Sequence, residues 1–248
     1  MARTIPTLLL VALLPSVAGA GAWTLPEGKA WAKVAGLRQQ TDEAYLADAR
    51  FYDGRRFDPG DRLEYPFEGE FTSEAVFIDF FYGLTDRLDM GLQVAYFDQV
   101  YADATRDEPP SDAGFSDIRA FVKCRLFQRP AIFTLKFGAK VPTGEFRNED
   151  GLIPVGEGQW DFDFVGQLGR SFWPLPLYTN VDVGYRLRTE NTEILRDPGD
   201  EWFLNVEAGY NVTPRLLLLA KYEMLRGNPS TDFGFFRNRS QIKRITYL

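Results

Sequence analysis

Histidine is absent from the 248 residues, and cysteine occurs once, at Cys124. Without histidine the sequence lacks the usual general base of serine-type catalysis and a common zinc ligand. A single cysteine cannot form an internal disulfide. The net charge of −7 and the pI near 4.9 argue against a nucleic-acid partner. We therefore expect no enzyme, no cofactor, no metal site and no nucleic-acid binding.

Long apolar runs are also missing after the N-terminal region. The longest apolar run in the remaining chain spans residues 216–220. A membrane-spanning helix needs about 20 such residues, so no helix of that kind is predicted. The N-terminus itself has Arg3, an apolar run over residues 5–14 and small residues at 18–20. This order is typical of a secretory signal peptide, predicted over residues 1–20 with cleavage alternatively after residue 22. A buried N-terminal helix is the other interpretation.

Alternation of apolar and polar residues dominates the remainder of the chain, and a period of two predicts β-strands. Two early strands, at 29–39 and 70–82, alternate less regularly, and a change of parity near Asp79 predicts a bulge. One strand follows the turn at 211–215, and a last one is expected at 239–248. The clearest strands are 88–97, 117–126, 131–141, 160–169, 177–188 and 202–211.

Alternation alone does not say whether the apolar face meets lipid or a protein core, as in a soluble sandwich or lipocalin-like barrel. Aromatic residues at the ends of the apolar face favour lipid. Trp202 and Tyr210 are eight positions apart, about 26 Å along a strand at ~3.3 Å per residue. A tilt of ~40° reduces this to roughly 20 Å, close to the ~25 Å apolar band of membrane barrels. Loop lengths that alternate between short and long favour the same answer.

The predicted fold class is therefore all-β, a transmembrane antiparallel up-and-down β-barrel over residues 23–248. Ten strands are visible. The poor alternation of the last strand and the final Leu248 suggest a C-terminal truncation, with twelve strands expected in the complete protein. An aromatic girdle is predicted at Tyr96, Trp160, Tyr185, Trp202, Tyr210 and Tyr222.

The polar face of the strands would line the barrel lumen. Both signs of charge are present, so the interior could be an ion-paired plug or an open channel. Inward glycines could leave a path, or only make room for large neighbours. Asp161 and Asp163 could form a catalytic acid pair, but an ion-pair ladder with arginines and lysines is the preferred interpretation. The predicted lumen-lining residues are Arg119, Lys123, Arg125, Lys136, Lys140, Asp161, Asp163, Asp182, Arg186, Arg188 and Glu207.

Several segments together resemble one family of outer-membrane barrels, those linked to meta-pathway phenol degradation. The segments are Tyr82 to Leu88, Gly156 to Asp163, the turn Gly169 to Phe172, Asn180 to Arg188 and Gly199 to Trp202. The resemblance covers residues 23–248. It implies a Gram-negative outer-membrane protein that passes small, often hydrophobic, molecules, and it supplies no catalytic residues.

From the strands, the polar interior and this resemblance, we expect a channel for passive or facilitated uptake of small, hydrophobic or aromatic molecules. Its partners would be the lipid bilayer of the outer membrane and a small-molecule solute. The alternative is a non-conducting structural or surface-recognition barrel whose loops bind a partner. An enzyme barrel is the least favoured interpretation.

Overall fold

The protein is described by a computed structural model that covers residues 21–46, 49–58, 60–147, 154–213, 215–232, 235–237 and 241–247. The predicted signal peptide, 1–20, and Leu248 lie outside these residues. No helix within them is long and apolar enough to span a membrane.

Strands make up nearly all regular structure of the described residues, with one short 3-10 turn at Pro66–Glu68. In chain order the strands are β1 (Ala30–Thr41), β2 (Glu43–Tyr45), β3 (Arg50–Tyr52), β4 (Arg55–Phe57), β5 (Arg62–Glu64), β6 (Glu70–Thr85), β7 (Leu88–Ala102), β8 (Ser111–Phe115), β9 (Ile118–Phe127), β10 (Ile132–Val141), β11 (Asp161–Ser171), β12 (Leu177–Arg188), β13 (Arg196–Asp197), β14 (Glu201–Thr213), β15 (Leu216–Gly227), β16 (Ser230–Asp232), β17 (Phe235–Arg237) and β18 (Gln241–Tyr247).

Eleven of these strands form one antiparallel sheet, and ten of them follow the order β1-β6-β7-β9-β10-β11-β12-β14-β15-β18. Every long strand pairs with the next long strand along the chain, which is the up-and-down arrangement that the sequence predicted. The ten visible strands are thus confirmed. β8 pairs with the far half of β7, while the small sheets β2-β5, β3-β4 and β13-β16-β17 lie in the loops.

Loop length separates the two ends of the sheet. The connections 86–87, 128–131, 172–176 and 214–215 are short, and the antiparallel order places all of them at one end, called here the lower end. The connections 42–69, 103–117, 142–160, 189–200 and 228–240 are long and lie at the opposite, upper end. Membrane barrels separate short turns from long loops in this way.

The two faces of the sheet are the reverse of those in a water-soluble protein. On β10, Leu135 and Phe137 are 48% and 42% exposed, whereas Thr134 and Lys140 are 0% and 2% exposed. The same inversion recurs on β6, β7, β9 and β11, where outward apolar side chains are exposed and Asp79, Asp89, Lys123 and Asp161 are buried. An outer surface of this kind is stable against hydrocarbon rather than water, because only lipid leaves such side chains exposed without penalty.

The bulge predicted near Asp79 is wrong. β6 pairs without interruption with β1 from Phe71 to Tyr82, and its register with β7 shifts only between Gly83 and Thr85. The alternation of β6 is in fact regular, with Phe77, Asp79 and Phe81 on the inner face and Ile78 and Phe80 on the outer face. The two inward phenylalanines make both faces apolar here, which resembles a change of parity in the sequence.

Candidate functional site

The inner face of the sheet carries its charges in rows that cross neighbouring strands. Strand register places Arg119 of β9 opposite Lys140 of β10, Lys140 opposite Asp161 of β11, and Asp161 opposite Arg188 of β12. Lys140 and Arg188 are each directly opposite Asp161, which has the opposite charge, so both attract it at short range. The ion pairs therefore run sideways between neighbouring strands of the barrel wall.

Asp161 is the centre of the upper row and is almost fully buried. Its carboxylate lies 3.1 Å from Lys140 Nζ, 3.4 Å from Arg188 Nε and 3.7 Å from Arg119 Nη2. A buried carboxylate needs such compensation, since loss of its partners leaves an uncompensated charge.

The next row down is built on Arg186 of β12. Its Nε donates to Asp163 Oδ1 at 2.6 Å, and its Nη1 donates to Glu201 Oε2 at 3.0 Å. Glu201 also accepts from Arg188 Nη1 at 3.1 Å, which joins the two rows. Asp161 and Asp163 are thus both held in ion pairs, which is the arrangement that an ion-pair ladder requires.

One upper loop reaches into this network. Residues 154–159, named here the upper segment, place the carboxylate of Glu157 against Lys140 Nζ and 2.9 Å from Arg188 Nη2. Burial favours a higher pKa for Glu157, but Lys140 and Arg188 outweigh it and lower the pKa to about 2. Asp117 fixes the loop, because its two oxygens accept from the backbone N–H groups of Gly144 and Glu157 at 3.0 and 3.1 Å.

The lower end is occupied by residues 21–28, named here the lower segment. Ala22 and Leu25 are buried inside the barrel. The backbone N–H of Ala22 donates to Asn180 Oδ1 of β12 at 2.9 Å, and its carbonyl accepts from Thr134 Oγ1 of β10 at 2.5 Å. The N–H of Leu25 donates to both oxygens of Asp89 of β7, at 3.0 and 3.1 Å. The segment therefore crosses the interior between distant strands.

Lys123 of β9 strengthens this attachment. Its ammonium donates to the carbonyls of Trp23 and Gly21, at 2.5 and 3.3 Å, and lies 3.3 Å from Asp89 Oδ2. Lys123 and Asp89 are both buried. The ion pair of Lys123 and Asp89 thus holds the lower segment from both partners. Lys123 donates hydrogen bonds to its carbonyls, and Asp89 accepts hydrogen bonds from its backbone.

Glycines allow the lower segment to lie close to the wall. A Cβ at Gly83 would stand 2.3 Å from the carbonyl oxygen of Pro26, and one at Gly169 would stand 2.8 Å from the ring of Trp23. The Trp23 ring also packs edge-on against Tyr178, with 5.7 Å between ring centroids.

A cavity of about 430 Å³ lies inside the barrel between the two segments, and is named here the chamber. Charged, amide and aromatic side chains share its wall. Its lining includes Asp79, Phe81, Gln93, Arg119, Phe121, Lys136, Asp163, Val165, Gln167, Asp182, Arg186, Phe203, Asn205 and Glu223. Because strands from β6 to β15 contribute, the sheet curls around this space.

Three of the inward glycines, Gly91, Gly184 and Gly209, are covered by aromatic rings, whereas Gly138 lines the chamber. The ring of Phe121 occupies the place where a Cβ of Gly91 would stand, 2.1 Å away, and the ring of Phe203 does the same at Gly184. Tyr178 covers Gly209 in the same way. Accommodation of large side chains is thus found at Gly91, Gly184 and Gly209, and Gly138 leaves space in the chamber wall.

The eleven predicted lumen residues all lie on the inner face. Seven of them, together with Asp89, Glu157 and Glu201, form the ion pairs described above, and Asp117 lies 3.3 Å from Lys140 Nζ. Asp182 accepts from Asn180 Nδ2 at 2.7 Å, and Glu207 accepts from the Tyr178 hydroxyl at 2.9 Å. Lys136 faces the chamber, and Arg125 lies opposite Thr134 at the lower end.

The predicted girdle is only partly at strand ends. Trp202 and Tyr210 are exposed on the outer face near the two ends of β14, and the ring of Tyr185 packs on Trp202 at 4.6 Å. Tyr96 and Trp160 are also exposed. Tyr222, however, lies opposite Val206, midway between Trp202 and Tyr210, so its placement at a strand end is wrong.

Five residues that hold the two segments were not among the predicted site residues: Asp89, Asp117, Thr134, Glu157 and Asn180. Asp89 and Asn180 show a weak signal, since each is a polar residue on the inner face of an otherwise regular strand. A second signal precedes β1, where Trp23 and Leu25 are apolar residues in a stretch that does not alternate.

Comparison with known proteins identifies the relatives of this chain. The sequence model of the family described as "Putative MetA-pathway of phenol degradation" matches residues 71–241. No curated protein matches the chain. The crystal structure of an outer membrane channel from Pseudomonas putida F1 is similar, with a TM-score of 0.63 and 17% identity over 94% of this chain and 86% of that chain. The family resemblance and the predicted barrel fold are both confirmed.

Proposed function

Because the chain belongs to this MetA-pathway phenol-degradation family, we propose that it is an outer-membrane channel for passive or facilitated diffusion of small molecules. The observation that carries the proposal is the chamber. It is a cavity of about 430 Å³ on the inner face of a sheet whose outer surface is apolar, and its lining comes from strands β6 to β15. Ligand cavities in proteins commonly have 300–1,000 Å³, so the chamber has the volume for a small solute.

The outer membrane is the compartment that fits these features. Antiparallel β-barrels with an apolar outer band, short turns and long loops are the form in which β-strands cross that membrane. The similar channel from Pseudomonas putida F1 is described as an outer membrane protein, and the predicted signal peptide agrees with export.

Facilitated diffusion of selected molecules fits better than a general aqueous pore. The upper segment and the lower segment both narrow the interior, and the charges of the wall are largely neutralised by ion pairs. A solute must therefore pass two constrictions with the chamber between them. A mixed lining of phenylalanines and polar groups suits small aromatic solutes, in agreement with the description of the family.

Flux through the purified barrel tests the proposal. We expect small discrete conductances in planar bilayers and uptake of small neutral solutes such as phenol into liposomes that contain the full mature chain. The variant Asp89→Asn should raise both, because it weakens the hold on the lower segment. If neither the native barrel nor this variant passes ions or solutes, the channel proposal fails.

The second candidate is a non-conducting structural or surface-recognition barrel. It is favoured by the same two segments, since each is fastened by several hydrogen bonds and by buried charges. This candidate expects that neither conductance nor uptake occurs, while the exposed upper loops bind a partner.

A further inference from the structure

The chamber contains a buried hydrogen-bond acceptor without a partner. Gln167 of β11 is 5% exposed and lines the chamber, yet its Oε1 makes no hydrogen bond within the described part of the chain. Buried polar atoms are nearly always paired, because an unpaired one has lost its water without compensation. The oxygen of Gln167 is therefore available to a donor from a bound molecule.

A free cation lies beside this acceptor. Lys136 of β10 lines the chamber and has no ion pair among the residues that the structure describes, unlike Lys123 and Lys140 on the same inner face. Lys136 is opposite Val165, two residues from Gln167 on β11. Diagonal neighbours of this kind have Cα atoms about 7–8 Å apart, so both side chains can reach one small group between them.

Aromatic rings surround the pair. Phe121 lies beneath the ammonium of Lys136, 4.4 Å from Nζ to the ring centroid, and packs edge-on against Phe81 at 5.1 Å. Phe203 lines the chamber from β14. A cavity of about 150 Å³ is enough to hold benzene. The chamber, at about 430 Å³, therefore accepts one substituted ring.

We propose that the chamber is a binding site for a small neutral hydroxyarene. The ligand hydroxyl accepts a hydrogen bond from Lys136 Nζ and donates one to Gln167 Oε1, while its ring packs against Phe121 and Phe203. The inference rests on the proposed function, because a solute has to enter the barrel to reach this site.

The charges of the lining distinguish a hydroxyl from a carboxylate. An aromatic carboxylate would accept from Lys136 but has no proton for Gln167 Oε1. It would also enter a chamber whose lining holds four carboxylates and three cations, so the lining as a whole offers no net attraction to a further negative charge. An unsubstituted ring would fill the apolar part and leave both polar groups unpaired. The three probes phenol, benzoate and toluene separate these possibilities.

The experiment measures saturable binding of each probe to the full mature barrel in nanodiscs, with empty nanodiscs subtracted to remove partition into lipid. Phenol should bind more tightly than benzoate and toluene. Gln167→Leu and Lys136→Met should each weaken phenol binding by roughly 3- to 10-fold, the equivalent of one hydrogen bond. The exposed residues Gln39 and Lys29 supply matched controls, and Gln39→Leu and Lys29→Met should leave binding unchanged.

The inference is overturned if phenol does not saturate, if benzoate or toluene binds as tightly, or if both chamber variants bind phenol like the native barrel. Heat-modifiable migration on gels checks that each variant is folded. Liposome uptake measured in parallel separates the two proposals. Uptake without saturable phenol binding removes the site and leaves the channel, whereas saturable binding without uptake removes the channel and leaves the site.

Discussion

A single substitution on the outer face tests whether that face meets lipid. Val206 of β14 lies four residues from Trp202 and four from Tyr210, so it is about 13 Å along the strand from each at ~3.3 Å per residue. If these aromatics mark the two membrane interfaces, Val206 is at the midplane. An arginine at that depth costs about 2–4 kcal/mol, so Val206→Arg should reduce the free energy of unfolding from lipid vesicles by that amount.

The control is on the same strand. Val212 is exposed and lies two residues beyond Tyr210, where arginine costs only about 0–1 kcal/mol. Denaturant unfolding from phosphatidylcholine vesicles, followed by tryptophan fluorescence, should therefore separate Val206→Arg from Val212→Arg by about 1–4 kcal/mol. Substitutions on a water-facing surface usually stay within about 0.5 kcal/mol. A difference below that value would refute a lipid-facing β14.

Further predictions concern the two segments. The depressed pKa of Glu157, about 2, means that its ion pairs persist at pH 5 and weaken only as the pH falls further, so acidification from pH 7 to 5 should leave conductance unchanged. Glu157→Gln should raise conductance already at pH 7. Asp89→Asn leaves the buried ammonium of Lys123 without its carboxylate partner, which costs about 3–5 kcal/mol while the lower segment remains inside the barrel. The lower segment should therefore leave the barrel more often, and a protease should cleave it faster than in the native barrel. N-terminal sequencing should find Gly21 first, because processing after Ala22 would remove the groups bonded to Asn180 and Thr134.

The strands and their faces could be predicted because both depend on local sequence. A residue pair two positions apart lies on one face of a strand whatever the remainder of the chain does. The predicted strand 177–188 therefore agrees with β12, Leu177–Arg188. β7 was predicted to end at residue 97 but reaches Ala102, since its upper part pairs with β8 and carries Asp98 and Gln99, where the apolar band no longer sets the pattern.

The contacts that hold the lower segment inside the barrel could not be predicted, because they join residues far apart in sequence. Ala22 and Asn180 are separated by 158 positions, and no periodicity relates them. The same holds for the sideways ion pairs of the wall, which depend on strand register. The inward charges predicted a polar interior. Only the strand register, which places Lys140 and Arg188 on either side of Asp161, shows that these charges pair with neighbours in the wall.

This division between wall and segments has a consequence for conduction. The ion pairs of the wall join neighbouring strands, so they do not obstruct the movement of a solute through the barrel. The constrictions come from the upper segment and the lower segment, at opposite ends of the barrel. Constrictions in series add their resistances, and the larger one limits the current. Releasing one segment alone, by Glu157→Gln or by Asp89→Asn, therefore leaves the other in control. The double variant should conduct more than the sum of the two single increases predicts. Purely additive increases in planar bilayers would mean that the segments obstruct separate paths and not one axis.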